Sequence, residues 1–155
     1  MSREFLRHTV ATLAYRGGKA VRDAPPNFSA FRAGPGSRSA GEILAHVGDL
    51  LDWALSLAEG AQRWEPQAPQ EWVADVNRFH DGLAKFDAYL ASDAPLGSPE
   101  EKLFQGPIAD ALTHVGQIAM LRRLAGAPVK GENYHRADIS GGRVGRDQAT
   151  PVREF

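Results

Sequence analysis

Residues 39–59 read Ser39-Ala-Gly-Glu-Ile-Leu-Ala-His-Val-Gly-Asp-Leu-Leu-Asp-Trp-Ala-Leu-Ser-Leu-Ala-Glu59. Ser39 followed three positions later by Glu42 is a capping box, in which the serine side chain accepts from the amide of residue 42 and the glutamate reaches back to the amide of residue 39. That fixes the start of a helix. Ile43, Val47, Leu50, Trp53, Ala54 and Leu57 recur at three- and four-residue spacing, so one face is apolar and needs a partner. Gly60 is placed to end the helix after Ala58 or Glu59.

Working outward, three further helical segments appear. The first spans Ser2 to Arg22, with Phe5, Leu6, Thr9, Val10 and Leu13 on one side. Gly17-Gly18 weakens its end by roughly 1 kcal/mol per glycine. Ala24-Pro-Pro-Asn-Phe28 and Ala33-Gly-Pro-Gly-Ser37 make a long irregular connection, which in a compact domain is functional or packed across the other elements. The third helix is expected from Pro69 to Ser92, carried by Trp72, Val76, Phe79, Leu83, Phe86 and Leu90. The fourth opens with a turn at Ser98-Pro-Glu-Glu101, serine capping and proline first. Gly106-Pro107 is expected to interrupt it, and its main part runs from Pro107 to Ala125, with Gly126 and Pro128 beyond. After Val129 the periodicity is lost. The pattern predicts an all-α antiparallel four-helix bundle, a single domain over 1–155, with residues 129–155 as an irregular tail packed on the bundle.

The composition excludes several functions. With 155 residues, 43% hydrophobic and 24% charged, the chain can bury a core without staples. A net charge of −1 gives no basic field for nucleic acid or acidic lipid. Tail arginines 136, 143, 146 and 153 alternate with acids and make no nucleic-acid patch. Absence of cysteine rules out disulfides, thiolate zinc sites and a cysteine nucleophile. No segment has the apolar length of a signal peptide or of a membrane span, so a soluble cytoplasmic protein is expected. No serine sits in a Gly-x-Ser-x-Gly turn, and neither Gly17-Gly-Lys19 nor Gly141-Gly-Arg-Val-Gly145 completes a phosphate or dinucleotide motif.

The residues left to carry chemistry are histidines and acids. On a helical wheel His46 falls inside the apolar arc of the second helix, with Glu42 and Asp49 flanking it. It reads either as a core histidine satisfied by a neighbour or as a ligand. Asp110 and His114 are four apart, so they project from one face of the fourth helix. That spacing lets one helix give two ligands to one metal ion, with His46 as the third. It equally describes a hydrogen-bonded surface pair, with Asp110 favoured near a helix start by the macrodipole. Three protein ligands leave a coordination position open, as in catalytic sites. His8 is expected exposed, His80 half buried beside Asp87, and His135 in the tail beside Tyr134. Arg16 projects towards the apolar side of the first helix, either entering a cavity or laying its stem along the surface.

Ser39-Ala-Gly-Glu-Ile-Leu-Ala-His46 resembles the second-helix signature of the DinB-like (DinB/YfiT) superfamily, and His114-Val-Gly-Gln-Ile-Ala-Met-Leu-Arg-Arg-Leu-Ala-Gly126 resembles its fourth-helix signature. The resemblance implies an antiparallel four-helix bundle, often a homodimer, holding a divalent metal with three histidines. His46 and His114 match two of these; Asp110 stands where the family has the remaining histidine. Two histidines and one carboxylate suit zinc, nickel, manganese or ferrous iron. The activities implied are a metal-dependent hydrolase or a thiol S-transferase of the bacillithiol or mycothiol type acting on a small molecule, the low-molecular-weight thiol being a cosubstrate. Glu42 or Asp49 would then serve as general base or orient a ligand imidazole. The alternative is a non-catalytic, stress-related helical-bundle binding protein.

Overall fold

A computed structural model describes residues 1–155. The fold is all-α: four long helices, α1 (Arg3–Val21), α2 (Ala40–Ala58), α3 (Trp72–Ala91) and α5 (Ala109–Leu124), with a short α4 (Glu100–Leu103) ahead of the last. A π-helical turn, Phe104–Ile108, joins α4 to α5, and single 3-10 turns lie at Phe28–Ala30 and Tyr134–Arg136. There is no strand, only an isolated antiparallel bridge between Glu132 and Glu154. α1 and α2 each pack against α3 and α5. One cluster of 27 buried apolar residues, from Leu6 to Val144, draws on all four long helices and the tail, so the chain has one continuous core. No helix is long and apolar enough to cross a membrane.

The capping box forms at α2 as its sequence dictates, with both reciprocal bonds present. Elsewhere tertiary packing overrides local reading. Gly17 and Gly18 lie within α1, and Gly17 is where the Phe79 ring of α3 meets the helix: a Cβ there would stand 2.5 Å from Phe79 Cζ. Phe5, expected in the apolar stripe, is 54% exposed, because Leu6, Thr9, Val10 and Leu13 already fill the buried face. The third helix starts at Trp72, not Pro69. The Gln70 amide donates to the Asp75 carboxylate, which holds residues 69–71 outside the helix. Gly106-Pro107 interrupts the α winding, as a π turn between α4 and α5, without ending the helical path. Proline lacks an amide hydrogen and crowds the preceding turn, and the wider π winding accommodates both. Ser98 does not cap α4; Pro99 occupies the N-cap position.

Two charged side chains clamp the C-terminal end of α1. Arg122, 5% exposed, donates to the carbonyl of Ala20 in the last turn of α1, to those of Arg22 and Asp23 just beyond it, and to Ala127 beyond its own helix. A cation there complements the negative end of the α1 dipole. Glu132 of the tail is buried against α1, accepting from Tyr15 and from Lys19 at 2.7 Å, while Lys19 also donates to Glu154 at 3.0 Å. Burial, reinforced by Glu132, pushes the Tyr15 hydroxyl well above its usual range. Asp87 pairs with Arg7 at 2.9 and 3.0 Å.

Candidate metal centre

His46 stands on α2 one turn after the capping box; Asp110 and His114 occupy the first two turns of α5. The packing of α2 on α5 brings the three together, with one donor atom from each inside a 4.8 Å group. His46 Nε2 is 3.5 Å from Asp110 Oδ2, and the two imidazole rings are 4.6 Å apart between centroids. Ligand atoms about 2.0–2.2 Å from a tetrahedral ion stand roughly 3.3–3.6 Å from one another, so the His46–Asp110 separation fits an ion between them. Nδ1 of His114 lies 2.8 Å from the Asp110 backbone carbonyl. Donating there assigns the proton to Nδ1 and leaves Nε2 with its lone pair, the arrangement that orients a ligand histidine. Burial, then the neighbouring His114 and Arg38, hold the His46 imidazole below its usual range, against a smaller opposing pull from Asp110. The depressed value favours the neutral form, the one able to coordinate.

The site is neither sealed nor flat. Side-chain exposure is 20% for His46, 12% for His114 and 45% for Asp110, so the carboxylate is the solvent-facing member. An open cleft of about 440 Å³ adjoins Asp110, with Trp53, Gln105, Gly106 and Thr113 among its walls. Trp64, from the exposed connection between α2 and α3, lies edge-on to both His46 (5.9 Å) and Trp53 (5.8 Å). That connection is tied down by the Arg63 amide donating to Ser56 Oγ and the Gln67 amide donating to Asp49.

Glu42 and Asp49 do not join the group. Glu42 is held by Arg32 at 2.9 Å and by the Ser39 amide at 3.0 Å, and these contacts, Arg32 first, keep its carboxyl below the usual carboxylate range. Asp49 is buried and accepts from Arg78 at 2.8 Å as well as from Gln67. These bonds hold both carboxylates in place outside the group of His46, Asp110 and His114. His8 and His135 are exposed and His80 half buried, none of them in the group. Trp64 was not foreseen from sequence; the available signal is a lone tryptophan in the polar stretch Gln62-Arg-Trp-Glu-Pro66. No protein-family model, no curated protein and no solved structure matches the chain.

Proposed function

We propose that this chain is a metal-dependent enzyme of the DinB-like kind, a four-helix bundle working as a homodimer on a small molecule. His46, Asp110 and His114 would hold a divalent transition ion: zinc, nickel, manganese or iron. The observation that carries the reading is the convergence of two imidazoles and a carboxylate from two helices beside an open cleft. A bound ion would supply Lewis-acid polarisation and lower the pKa of a water or thiol. The chain's own residues do the rest. Trp53 offers an aromatic wall, Gln105 and Thr113 offer hydrogen bonds to a substrate in the cleft, and Trp64 shields the His46 side from bulk water. With Glu42 and Asp49 committed elsewhere, Asp110 is the carboxylate that both belongs to the group and reaches the cleft.

Hydrolysis and thiol transfer both follow from such a site. Because the chain has no cysteine, the transferase requires an external low-molecular-weight thiol. Elemental analysis of purified, untagged protein should find about one transition ion per chain. Asp110→Ala and His114→Ala should both lose it, along with the concentration-dependent rise in Tm that native-state binding produces. Incubation of loaded protein with a thiol and monochlorobimane separates the two activities: adduct formation above the uncatalysed rate identifies the transferase, and its absence leaves the hydrolase. No ion and no Tm shift with zinc, nickel, manganese or iron would overturn the enzyme reading in favour of a non-catalytic bundle.

A further inference from the structure

The connection between α2 and α3 builds no core of its own: residues 61–71 have no regular secondary structure, and all of residues 59–71 are exposed. It is nevertheless held against α2 at two points. Gly60, at φ 77°, reverses the chain at the end of α2. The Arg63 amide then donates to Ser56 Oγ, and that hydroxyl, on a residue 1% exposed, also lies 3.2 Å from the Arg63 carbonyl. Further on, the Gln67 amide donates to Asp49, which is buried and fixed by Arg78. Ser56 and Asp49 stand about 10 Å apart along α2, at a rise of about 1.5 Å per residue, so the segment from Arg63 to Gln67 runs back towards His46. Trp64 is the large apolar side chain on that strap, and its ring is set edge-on to His46 at 5.9 Å and to Trp53 at 5.8 Å.

The two imidazoles of the candidate metal centre are oriented by different means. His114 Nδ1 lies 2.8 Å from the Asp110 backbone carbonyl, the kind of hydrogen bond that fixes a ligand histidine. His46 has no counterpart: its Nε2 faces Asp110 at 3.5 Å, and no protein group accepts from its Nδ1. The outer torsion of a histidine side chain is broad, so without that bond the direction of the ring is left to packing. Besides His114, the aromatic ring packed on His46 is Trp64, at an interplanar angle of 75°, the T-shaped arrangement that such pairs favour.

We propose that Trp64 is a positioning residue: held by Ser56 and Asp49 through the strap, it aims His46 Nε2 at the metal position, in place of the missing hydrogen bond at Nδ1. The inference rests on the reading of His46, Asp110 and His114 as a metal centre. Titration of the full chain with cobalt(II), followed by its d–d absorption, tests it, because the band reports affinity and ligand geometry apart from any activity. Trp64→Ala should raise the cobalt Kd about tenfold, the lower end of what loss of an orienting partner costs, and should change the shape of the band. Trp64→Phe, which keeps an aromatic ring at the position, should stay within about twofold of the native Kd. Ser56→Ala, which frees Arg63, should weaken cobalt in the same direction with Trp64 still in the chain. In a His46→Ala background, Trp64→Ala should have no further effect, because its role passes through that imidazole. Equal cobalt binding by native and Trp64→Ala protein, or the same loss from Trp64→Ala with His46 present and absent, would overturn the positioning role and leave the metal centre standing. No cobalt bound by the native chain would overturn both.

Discussion

Gly17 and Gly18 are chemically identical neighbours in one helix, yet alanine should have opposite effects at the two positions. A methyl on Gly17 would stand 2.5 Å from Phe79 Cζ and 3.3 Å from both Cε atoms. Phe79 is fully buried in the core, so its ring cannot turn aside without moving other side chains. Overpacking of that kind costs about 1–3 kcal/mol. The gain in helix propensity returns about 1 kcal/mol, leaving Gly17→Ala less stable by up to about 2 kcal/mol. At Gly18 the nearest atom, His80 Cε1, is 4.0 Å away, an ordinary contact. Gly18→Ala therefore keeps the propensity gain and should be more stable by about 1 kcal/mol. Urea unfolding reads both as opposite shifts in midpoint at unchanged m-value. A third variant sharpens the test: Phe79→Leu in the Gly17→Ala background should cost less than Phe79→Leu alone, because the methyl and the ring compete for one space. Midpoints moving in the same direction by similar amounts, or strictly additive costs in the double variant, would refute the packing account of Gly17.

Arg122→Met should lose about 3 kcal/mol in urea unfolding, since it leaves carbonyls at two helix ends without their shared charged donor. Arg122→Lys should recover only part of that, because one ammonium cannot reproduce the planar fork that spans them. Arg32 and the Ser39 amide lower the Glu42 pKa, so its stabilising contribution is complete above the unfolded-state value and is lost as pH falls through the folded one. The stability advantage of the native chain over Glu42→Gln should accordingly be present at neutral pH and fade below about pH 4, as followed by unfolding across a pH series. Trp64 lies 5.9 Å from His46, so a paramagnetic divalent ion such as cobalt should quench tryptophan fluorescence saturably. Trp64→Phe should remove a large part of that quenching while the ion still binds.

What could be read from sequence was what depends on neighbours along the chain. The capping box at Ser39 and Glu42, the apolar stripe of α3 and the Asp110–His114 spacing are local patterns, and all three stand in the structure. What escaped depends on contacts between distant segments. Gly17 looked like a weak helix end because its reason is a phenylalanine 62 positions away on α3. Phe5 and Leu6 are both apolar, and only the bundle decides which turns inward. Glu42 and Asp49 flank His46 on the wheel, but their partners, Arg32, Arg78 and the Gln67 amide, come from outside that helix and occupy them. The same reason hid Lys19 and Glu132, 113 residues apart, and left Trp64 to be found by geometry alone.

The π turn at Phe104–Ile108 acts as a phase shifter. A π-bulge amounts to one residue added to an α-helix, and each residue turns the following side chains by about 100°. Upstream of it, α4 is placed by Leu103 in the core; downstream, Ile108 and Ala111 are equally buried, and Asp110 and His114 are carried round to face α2. Removing one residue from this turn would leave a helix of nearly the same length and composition, but with its two halves out of phase. Either the core residues or the Asp110–His114 pair would then point the wrong way. The chemistry of the site is thus encoded partly as an angle, written by a single surplus residue in a stretch that makes no contact with the donor atoms through any side-chain hydrogen bond.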